Sequence, residues 1–351
     1  MHHCHSRQLR PKTMLSYEQT LKLFGVWLAD TTAVTRVENI KEKHIRAYIV
    51  ELQERGKYTQ VADRKAQKYN CPQNRRDYCA KISNTTINNY IRNLKAYFAW
   101  LVEMEMLTVS PLRRVKPLPE ERKPKEYLDD DEVKRLLKCM DKSYYAEYRD
   151  MMAIMLMLDA GTRLSETLTI EVEALDLSEQ TVVLPADKTK GRKERTVFFS
   201  DRTAKELRRW LQFKDRYCES PYLLPVKSTG RVVCLCDFEK NFRKYVLRAG
   251  IKKKVSPHTL RNNFARRCLM AGMDIYTLSR ILGHSSVTVT EKAYLDIADK
   301  ELMTKYRRFS PIENNCLDGV FCGGDFGFNL FFHPLQFHQF LDLGFHAGVT
   351  H

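Results

Sequence analysis

The segment between Ser110 and Lys125 differs in composition from the sequence on both sides, and it constrains the fold more than any other feature. It holds four prolines interleaved with lysines and arginines. Proline fixes φ and removes a backbone N–H, so it interrupts helices and strands. The segment therefore predicts an extended basic linker over residues 111–125. Two domains are expected for 351 residues, because single cores seldom grow much beyond ~250 residues.

Helical periodicity dominates the sequence before this linker. Apolar residues recur at helical spacing from Leu15 to Ala29, from Lys41 to Arg55 and from Thr85 to Met106. These stretches predict a small helical domain over residues 15–110. A basic, polar insertion from Lys57 to Lys81 interrupts them and predicts a surface loop. A solvated loop and a nucleic-acid contact are equally compatible with its composition.

The sequence after the linker changes its period once. Asp129 to Asp131 predict a helix start, because acidic residues are favoured at the positive end of a helix. Leu175 to Ser200 alternates as strands do, and it predicts a hairpin with a basic tip. Helical patterning fills the rest of residues 126–311, so the predicted fold class is mostly α with a small antiparallel β-sheet. Residues 312–351 predict a disordered tail, with a partner-binding segment and translation through a damaged gene end as alternatives.

The charge of the chain is strongly positive. Lysine and arginine number 59 against 43 aspartate and glutamate residues, which gives a formal charge of +16. An excess of this size attracts a polyanion, and nucleic acid is the usual one. Contacts to phosphate carry no sequence information and no chemistry, so charge alone does not define a function.

Several other classes of protein are disfavoured by the sequence. No apolar run approaches the ~20 residues of a membrane-spanning helix, and no secretory signal is recognisable. We therefore expect a cytoplasmic protein. The ten cysteines lack the spacing of a common zinc site. The group His2, His3, Cys4 and His5 lies on a terminus too short to hold metal ligands in place, so no metal and no cofactor are predicted.

Four separated sequence elements require a joint explanation. Each alone is common by chance, but the four in this order, in one basic two-domain chain, are not. They are Gly161-Thr162-Arg163-Leu164-Ser165-Glu166, Lys190-Gly191-Arg192-Lys193-Glu194-Arg195, His258-Thr259-Leu260-Arg261, and Leu282-Gly283-His284 followed by Tyr294. Together they resemble the catalytic boxes of the tyrosine recombinase (phage integrase) family, which includes the Xer recombinases. The resemblance implies an N-terminal helical, SAM-like core-binding domain and a C-terminal catalytic domain.

The resemblance implies a role for each matching basic residue. A phenol that attacks a phosphodiester builds negative charge on the non-bridging oxygens, and two guanidiniums can stabilise that charge as bidentate clamps. Arg163 and Arg261 match those clamps. The leaving 5′-oxygen needs a proton, and Lys190 on the hairpin tip matches the family's general acid. Lys193 is the rival position for that lysine.

The remaining boxes supply the nucleophile and the histidines. Tyr294 matches the nucleophile, which would form a 3′-phosphotyrosine and a free 5′-hydroxyl without ATP or metal. The resemblance implies proton transfer and positioning for His258, and a hydrogen bond to the phosphate for His284. Glu166 is expected to hold the histidine and arginine side chains in place without contacting the phosphate itself.

The resemblance also implies the partners of the chain. They are double-stranded DNA with specific recombination sites and further copies of the chain in a synaptic tetramer, while a requirement for accessory factors stays open. Integration or excision of a phage or mobile element is the function most compatible with this description. The residues expected to contact DNA are Arg92, Lys95, Arg113, Arg114 and Lys193.

Two other functions remain as alternatives. A DNA-binding accessory protein of the same fold would not cut DNA, but it should have lost a catalytic residue, and this chain retains every one. A type IB topoisomerase uses similar chemistry without partner exchange. The compact first domain and the segment from Lys300 to Phe309 favour a recombinase over a topoisomerase.

The sequence departs from the family pattern at two positions. Tyr294 lies one residue further from His284 than is frequent in the family, and Asn262 stands where histidine is common. The first departure changes the helical phase of the tyrosine and predicts a compensating kink. Tyr276 and Tyr306 do not fit the pattern of the nucleophile, so Tyr294 is the predicted nucleophile.

Overall fold

Helices form most of the described chain, together with one small sheet. The computed structural model describes residues 2–62, 71–120, 126–189, 193–284 and 286–294. The helices are α1 (His2–Ser6), α2 (Pro11–Thr31), α3 (Glu42–Glu54), α4 (Asn84–Glu103), α5 (Asp130–Lys138), α6 (Tyr145–Asp159), α7 (Leu164–Leu168), α8 (Asp201–Asp215), α9 (Leu235–Arg248), α10 (Pro257–Met270), α11 (Ile275–Leu282) and α12 (Val287–Tyr294). The strands are β1 (Leu175–Asp176), β2 (Thr181–Leu184) and β3 (Arg195–Phe198). The predicted fold class, mostly α with a small antiparallel sheet, is confirmed.

The chain divides into two compact units, Met1–Lys123 and Pro124–His351. In the first unit α2, α3 and α4 pack around an aromatic centre in which the rings of Phe24 and Tyr48 meet edge to face, with 5.0 Å between their centroids. Asn93 of α4 is buried there, and its side-chain amide donates to the Thr20 hydroxyl at 2.9 Å. The three predicted helical stretches of this unit are confirmed.

The two ends of the basic insertion between α3 and α4 are paired with each other. The Lys57 N–H donates to the Ala80 carbonyl at 2.8 Å, and the Cys79 N–H donates to the Lys57 carbonyl at 3.1 Å. Gly56 allows this close approach, because a Cβ at that position would lie 2.4 Å from the Cys79 Cα. The insertion therefore leaves and re-enters the helical unit at one place. Its residues 63–70 lie outside the described part of the chain.

The proline-rich segment differs from the extended linker that we predicted. Leu112 and Val115 are buried against the first unit's core. The Asn88 side chain of α4 makes two hydrogen bonds with the Leu118 backbone: it accepts from the N–H at 2.8 Å and donates to the carbonyl at 2.9 Å. Apolar residues between the prolines therefore fasten residues 111–120 to α4. The domain limits 15–110, 111–125, 126–311 and 312–351 stay predictions.

The second unit is built around α6. This helix is buried along most of its length and packs against α8, α9 and α10. The predicted acidic helix start is confirmed in α5, where Asp129 accepts from the Glu132 N–H at 2.8 Å and Glu132 accepts from the Asp129 N–H at 2.9 Å. This reciprocal capping satisfies two N–H groups that a helix start leaves without partners.

The predicted hairpin is confirmed in the same unit. The strand order is β1-β2-β3, all antiparallel, and the buried residues Val182 and Val197 stand opposite each other on β2 and β3. Of the basic tip, residues 190–192 lie outside the described chain, as do 295–351, which include the segment from Lys300 to Phe309 and the tail. None of the helices in the described ranges combines the length and the apolar character that crossing a bilayer requires.

Candidate active site

Arg163 lies at the turn that joins α6 to α7. Gly161 has a φ of +64°, and a Cβ there would lie 2.3 Å from the Phe264 ring, so this turn requires glycine. The turn places Arg163 immediately before α7. Glu166 of α7 accepts from the Arg163 N–H at 2.9 Å and from its Nη1 at 2.7 Å. The partly exposed guanidinium is thereby held at the start of a helix.

Arg261 of α10 is only 2% exposed. Its Nη1 donates to the Gly161 carbonyl at 2.7 Å, and its Nη2 donates to the Leu282 carbonyl at 2.6 Å. The same Nη2 lies 3.2 Å from His284 Nε2. One guanidinium therefore joins the α6–α7 turn to the end of α11, and it reaches the histidine from the fourth sequence element.

His284 follows the left-handed cap of α11. Gly283 has φ 61° and ψ 48°, which ends the helix, and the His284 N–H donates back to the Ser279 carbonyl at 3.1 Å. His284 Nδ1 lies 2.7 Å from the hydroxyl of Thr290 on α12. Because arginine can only donate, Nε2 is the acceptor from Arg261, and Nδ1–H donates to Thr290. The geometry thus assigns a neutral ring with its proton on Nδ1.

The electrostatic environment agrees with a neutral His284. Burial and the positive charges of Arg261, Arg163 and Arg195, with a smaller contribution from His258, lower the pKa of His284 to about 4. The ring is therefore unprotonated at neutral pH in the protein without DNA. Burial is the largest cause of the depressed pKa, and the three arginines add to it with positive charges that would attract a phosphate to this point.

Arg195 is the first residue of β3, and its side chain contacts Glu166 and the end of α11. Its Nη2 and Nη1 donate to the two carboxylate oxygens of Glu166 at 2.6 and 3.2 Å, and its Nε donates to the Ile281 carbonyl at 3.1 Å. Burial alone would raise the pKa of Glu166, but the bonds and charges of Arg195 and Arg163 outweigh it and lower the pKa to about 2. Glu166 is therefore an anion that two arginines share. We call Arg163, Arg195 and Arg261 the arginine cluster.

The other predicted site residues surround this cluster or lie outside the description. His258 is exposed at the second position of α10, and its charge reaches His284. Lys193 is exposed on the hairpin, where its carbonyl accepts from the Thr189 hydroxyl at 2.8 Å. Lys190 lies outside the described residues. Tyr294 is the last residue of α12, about one helical turn after Thr290, and its side chain is outside the described part.

A cavity adjoins the arginine cluster between the hairpin and α11. It has a volume of about 670 Å³. Lys193, Arg195 and Arg280 line it, together with His284. The wall of the cavity therefore carries basic residues on both the hairpin side and the helix side, with Glu194 as an acidic residue on the hairpin side. Within the described residues, no group of three or more His, Cys, Asp or Glu side chains is arranged to hold a metal ion.

The four remaining residues that we predicted to contact DNA lie in the first unit. Arg92 is exposed on α4, where it donates to the Asn89 side chain at 2.6 Å, and Lys95 is partly exposed on the same helix. Arg113 and Arg114 are exposed beside the buried Leu112. Their exposure is compatible with a contact to DNA, and their role stays a prediction.

The two units match known families of sequence. Residues 126–301, half of the chain, match the phage integrase family, and residues 4–65 match the N-terminal SAM-like domain of phage integrases. This chain belongs to the phage integrase family of tyrosine recombinases. Similar proteins include the tyrosine recombinase of Thermosipho africanus, 27% identical over 297 residues that cover 85% of this chain and 93% of that protein. The tyrosine recombinase XerC of Thermodesulfovibrio yellowstonii is 26% identical, over 66% of this chain and 77% of that protein.

Solved structures share the fold of this family member. The Tn1549 transposon integrase in complex with a circular intermediate DNA aligns with a TM-score of 0.63 at 18% identity, over 88% of this chain and 97% of that one. The XerH recombinase bound to a palindromic difH substrate aligns with a TM-score of 0.63 at 17% identity, over 86% of this chain and 81% of that one. At these identities the likeness establishes the fold alone.

The integrase fold brings Arg163, Glu166, Arg261 and His284 into one network, as the resemblance implied. Sequence reasoning missed two members of that network. Arg195 belongs to the same motif as Lys190, but its position at the start of an alternating strand gave no sign that it points back to Glu166. Thr290 was missed because a threonine on an amphipathic helix has no distinguishing pattern. The spacing of six residues between His284 and Thr290 becomes informative only when α11 and α12 are known to pack together.

Proposed function

We propose that this protein is a site-specific recombinase that cleaves and rejoins DNA strands through a 3′-phosphotyrosine at Tyr294. The observation that carries the proposal is the placement of Arg261. It is buried, it is held by carbonyls from two separate elements, and it contacts His284. A cation held in this way is oriented before any anion arrives, which is what stabilisation of a phosphoryl transition state requires.

The proposed chemistry begins with attack by the Tyr294 hydroxyl oxygen on phosphorus, while the phenolic proton passes to a base, for which His258 is the proposed acceptor. The new O–P bond forms as the bond to the 5′-oxygen breaks, and Arg163 and Arg261 stabilise the charge on the non-bridging oxygens. The phosphodiester bond energy is retained in the phosphotyrosine, so a 5′-hydroxyl from another strand can reverse the reaction without ATP. The departing 5′-oxygen takes a proton, for which Lys190 is the proposed donor and the exposed Lys193 the rival.

His284 and His258 are proposed to donate and accept protons around the phosphate. His284 is neutral in the free protein, and its Nε2 accepts from Arg261. A phosphodiester placed between them brings a negative charge, which favours the protonated ring. Protonated His284 can then donate from Nε2 to a non-bridging oxygen while Nδ1–H still donates to Thr290. His258, exposed at the start of α10, is proposed to position the phosphate from the other side.

The proposed assembly follows from what the relatives bind. The Tn1549 integrase and XerH structures contain DNA, and this chain carries a charge of +16. We propose that Arg92, Lys95, Arg113, Arg114 and Lys193 contact a duplex and that four protomers join two duplexes in a synapse. Integration or excision of a phage or mobile element in the cytoplasm is the proposed setting.

The experiment uses a suicide DNA substrate drawn from the sequences that flank the gene, with a nick that lets the cleaved short strand diffuse away. The purified protein is incubated with it without metal or ATP and resolved on a denaturing gel. Tyr294→Phe should bind the DNA but form no adduct. Tyr276→Phe is the matched control, because this tyrosine lies in the same unit and is 61% exposed, and it should form the adduct at the wild-type rate.

Three outcomes contradict the proposal. Binding to a verified site with no adduct from wild type would favour the accessory DNA-binding function. An adduct that persists in Tyr294→Phe would assign the nucleophile to another residue. An adduct that depends on Tyr294 but is followed only by relaxation of supercoils, without exchange of strands, would favour the topoisomerase.

A further inference from the structure

We infer that Arg195 is a positioning residue for DNA cleavage, which aligns the end of α11 with Glu166 so that Arg163 and Arg261 face the same phosphate. This inference rests on the proposed function. Arg195 lies in the same motif as Lys190, but the resemblance to the family implied no role for it. It is assigned here from its contacts, which connect the hairpin, α7 and α11.

Three consecutive carbonyls at the end of α11 each accept from a different arginine. The Ile281 carbonyl accepts from Arg195 at 3.1 Å, and the Leu282 carbonyl accepts from Arg261 at 2.6 Å. The Gly283 carbonyl accepts from Arg163 at 3.3 Å. The last carbonyls of a helix lack partners within the helix and lie at its negative end, so they suit cations. The end of α11 therefore sets the spacing of the three guanidiniums.

Arg195 is held by contacts with two separate elements, α7 and the end of α11. Its side chain is 9% exposed, and its Nη1 and Nη2 donate to the two oxygens of Glu166 while its Nε donates to the Ile281 carbonyl. Planar guanidinium donors match a carboxylate in this two-pronged geometry, which holds both partners in place. Glu166 in turn accepts from Arg163 through both its backbone and its side chain. A displaced Arg195 would therefore displace Arg163 through Glu166.

Gly283 provides the space in which the Arg195 side chain lies. A Cβ at Gly283 would fall 2.7 Å from the Arg195 Cδ and 3.0 Å from its Nε. The φ of +61° also disfavours other residues at this position. The same glycine thus ends α11, precedes His284 and accommodates Arg195. Close packing at this point couples the position of the hairpin to the position of His284.

The test compares Arg195→Met and Arg195→Lys with wild type in single-turnover cleavage of the suicide substrate at saturating DNA. Arg195→Met should cleave about 100-fold more slowly, because small misplacements of catalytic groups have effects of this size. Its Kd for DNA should be unchanged. Arg195→Lys should recover part of the rate, since it keeps the charge but cannot make all three bonds. Arg208→Met is the matched control, because this exposed arginine donates to the Leu177 carbonyl at 2.9 Å and lies outside the cluster.

A second substrate separates positioning from a loss of folded protein. In a methylphosphonate substrate a neutral methyl group replaces one non-bridging oxygen, so clamping by arginine matters less. The rate loss of Arg195→Met should shrink on this substrate, whereas a smaller folded fraction would slow both substrates equally. Equal losses of rate on the two substrates would overturn the inference, and so would wild-type rates for both variants. In either case the proposed function would still stand if the wild-type protein forms the adduct. If Arg195→Met does not fold, Arg195→Lys is compared with wild type on the two substrates in its place.

A third readout does not depend on cleavage. The imidazole signals of His284 are titrated by NMR in wild type and in the Arg195 variants. Loss of the Arg195 charge and of the bond to Ile281 should raise the titration midpoint in Arg195→Met. An unchanged midpoint would contradict the inference even if wild type formed no adduct and the proposed function had failed.

Discussion

Two groups of buried charges in the second unit use arginine in different ways. In the first, which we call the α6–α9 network, Arg149 donates to Asp150 at 2.7 and 3.0 Å, and Asn241 and Tyr245 donate to the other carboxylate oxygen of Asp150. One guanidinium meets one carboxylate there, and each oxygen is bonded. In the arginine cluster, two guanidiniums share Glu166 and the third donates to backbone carbonyls.

The difference separates a charge pair that stabilises the fold from cations that are available to a ligand. Removing two charges from water is costly, and the α6–α9 network offsets this cost by pairing and hydrogen bonds. In the cluster, Glu166 supplies one negative charge for two arginines, and carbonyl dipoles orient Arg261 without cancelling its charge. Burial lowers the pKa of His284 most, and the charges of the three arginines lower it further. A phosphodiester would supply the missing negative charge.

The largest effect is expected in the α6–α9 network. Asp150 is 0% exposed, and Asp150→Asn leaves Arg149 without its carboxylate. We expect the free energy of unfolding to fall by about 3–5 kcal/mol, as for other broken buried pairs. Urea unfolding measures it. Asp131→Asn is the control, because Asp131 is 79% exposed in a surface pair with Lys134 and should change stability by less than about 1 kcal/mol.

The same two variants are also tested for DNA cleavage, with the rate expressed per folded molecule. Asp150→Asn should then cleave at the wild-type rate, because its network does not face the phosphate. A cleavage rate that falls in the folded Asp150→Asn protein would contradict the separation between the two groups.

The next effect concerns the cluster itself. Arg261→Lys keeps one positive charge, but a single ammonium group cannot bond Gly161, Leu282 and the phosphate in the same geometry. We expect the single-turnover cleavage rate to fall about 100- to 1,000-fold, the usual effect of losing one transition-state donor. Arg149→Lys should leave the rate per folded molecule unchanged. Similar rate losses in both variants would remove the distinction.

A smaller effect follows from the pKa of His284. Folding lowers this pKa from 6.5 to about 4, so between these values the unfolded chain binds a proton that the folded chain does not. Stability must therefore rise with pH across this window and decline as the pH falls from 6.5 towards 4. Urea unfolding at several pH values should show a shallower decline for His284→Gln than for wild type. Parallel declines would mean that folding does not lower the pKa of His284.

The smallest effect is expected at Thr290. Thr290→Val keeps the shape of the side chain and removes the acceptor of the His284 Nδ1–H. The loss of one hydrogen bond, about 1 kcal/mol, corresponds to a roughly fivefold slower cleavage. Thr288→Val on the same helix is the control, because Thr288 is exposed. Equal rates for the two variants would mean that Thr290 does not fix the ring.

The sequence was sufficient to predict elements and motif residues that have a local signature. The helices of both units and the hairpin follow from apolar periodicity, and the acidic start of α5 follows from the helix dipole. Arg163, Arg261 and His284 were found because their motifs occur together. The packing of residues 111–120 was not foreseen, since prolines and charges dominate their composition while the contact depends on Leu112, Val115 and Asn88.

The features that sequence reasoning missed depend on backbone atoms of distant elements. The backbone acceptors of the arginine cluster are the carbonyls of Gly161, Ile281, Leu282 and Gly283. Because every residue has a carbonyl, no residue type in the sequence identifies these acceptors. The role of Arg195 likewise depends on β3 lying beside α11. The predicted positions of Lys190 and of the tail fall outside the described residues and stay predictions.

The most direct test of the account is to identify the residue that becomes attached to DNA. Wild-type protein is trapped on the suicide substrate, digested with protease and nuclease, and the modified peptide is sequenced by mass spectrometry. The account predicts a single nucleotide-modified peptide with the phosphate on the phenolic oxygen of Tyr294. A phosphate found on any other residue, or adduct formation without a phosphotyrosine, would contradict it.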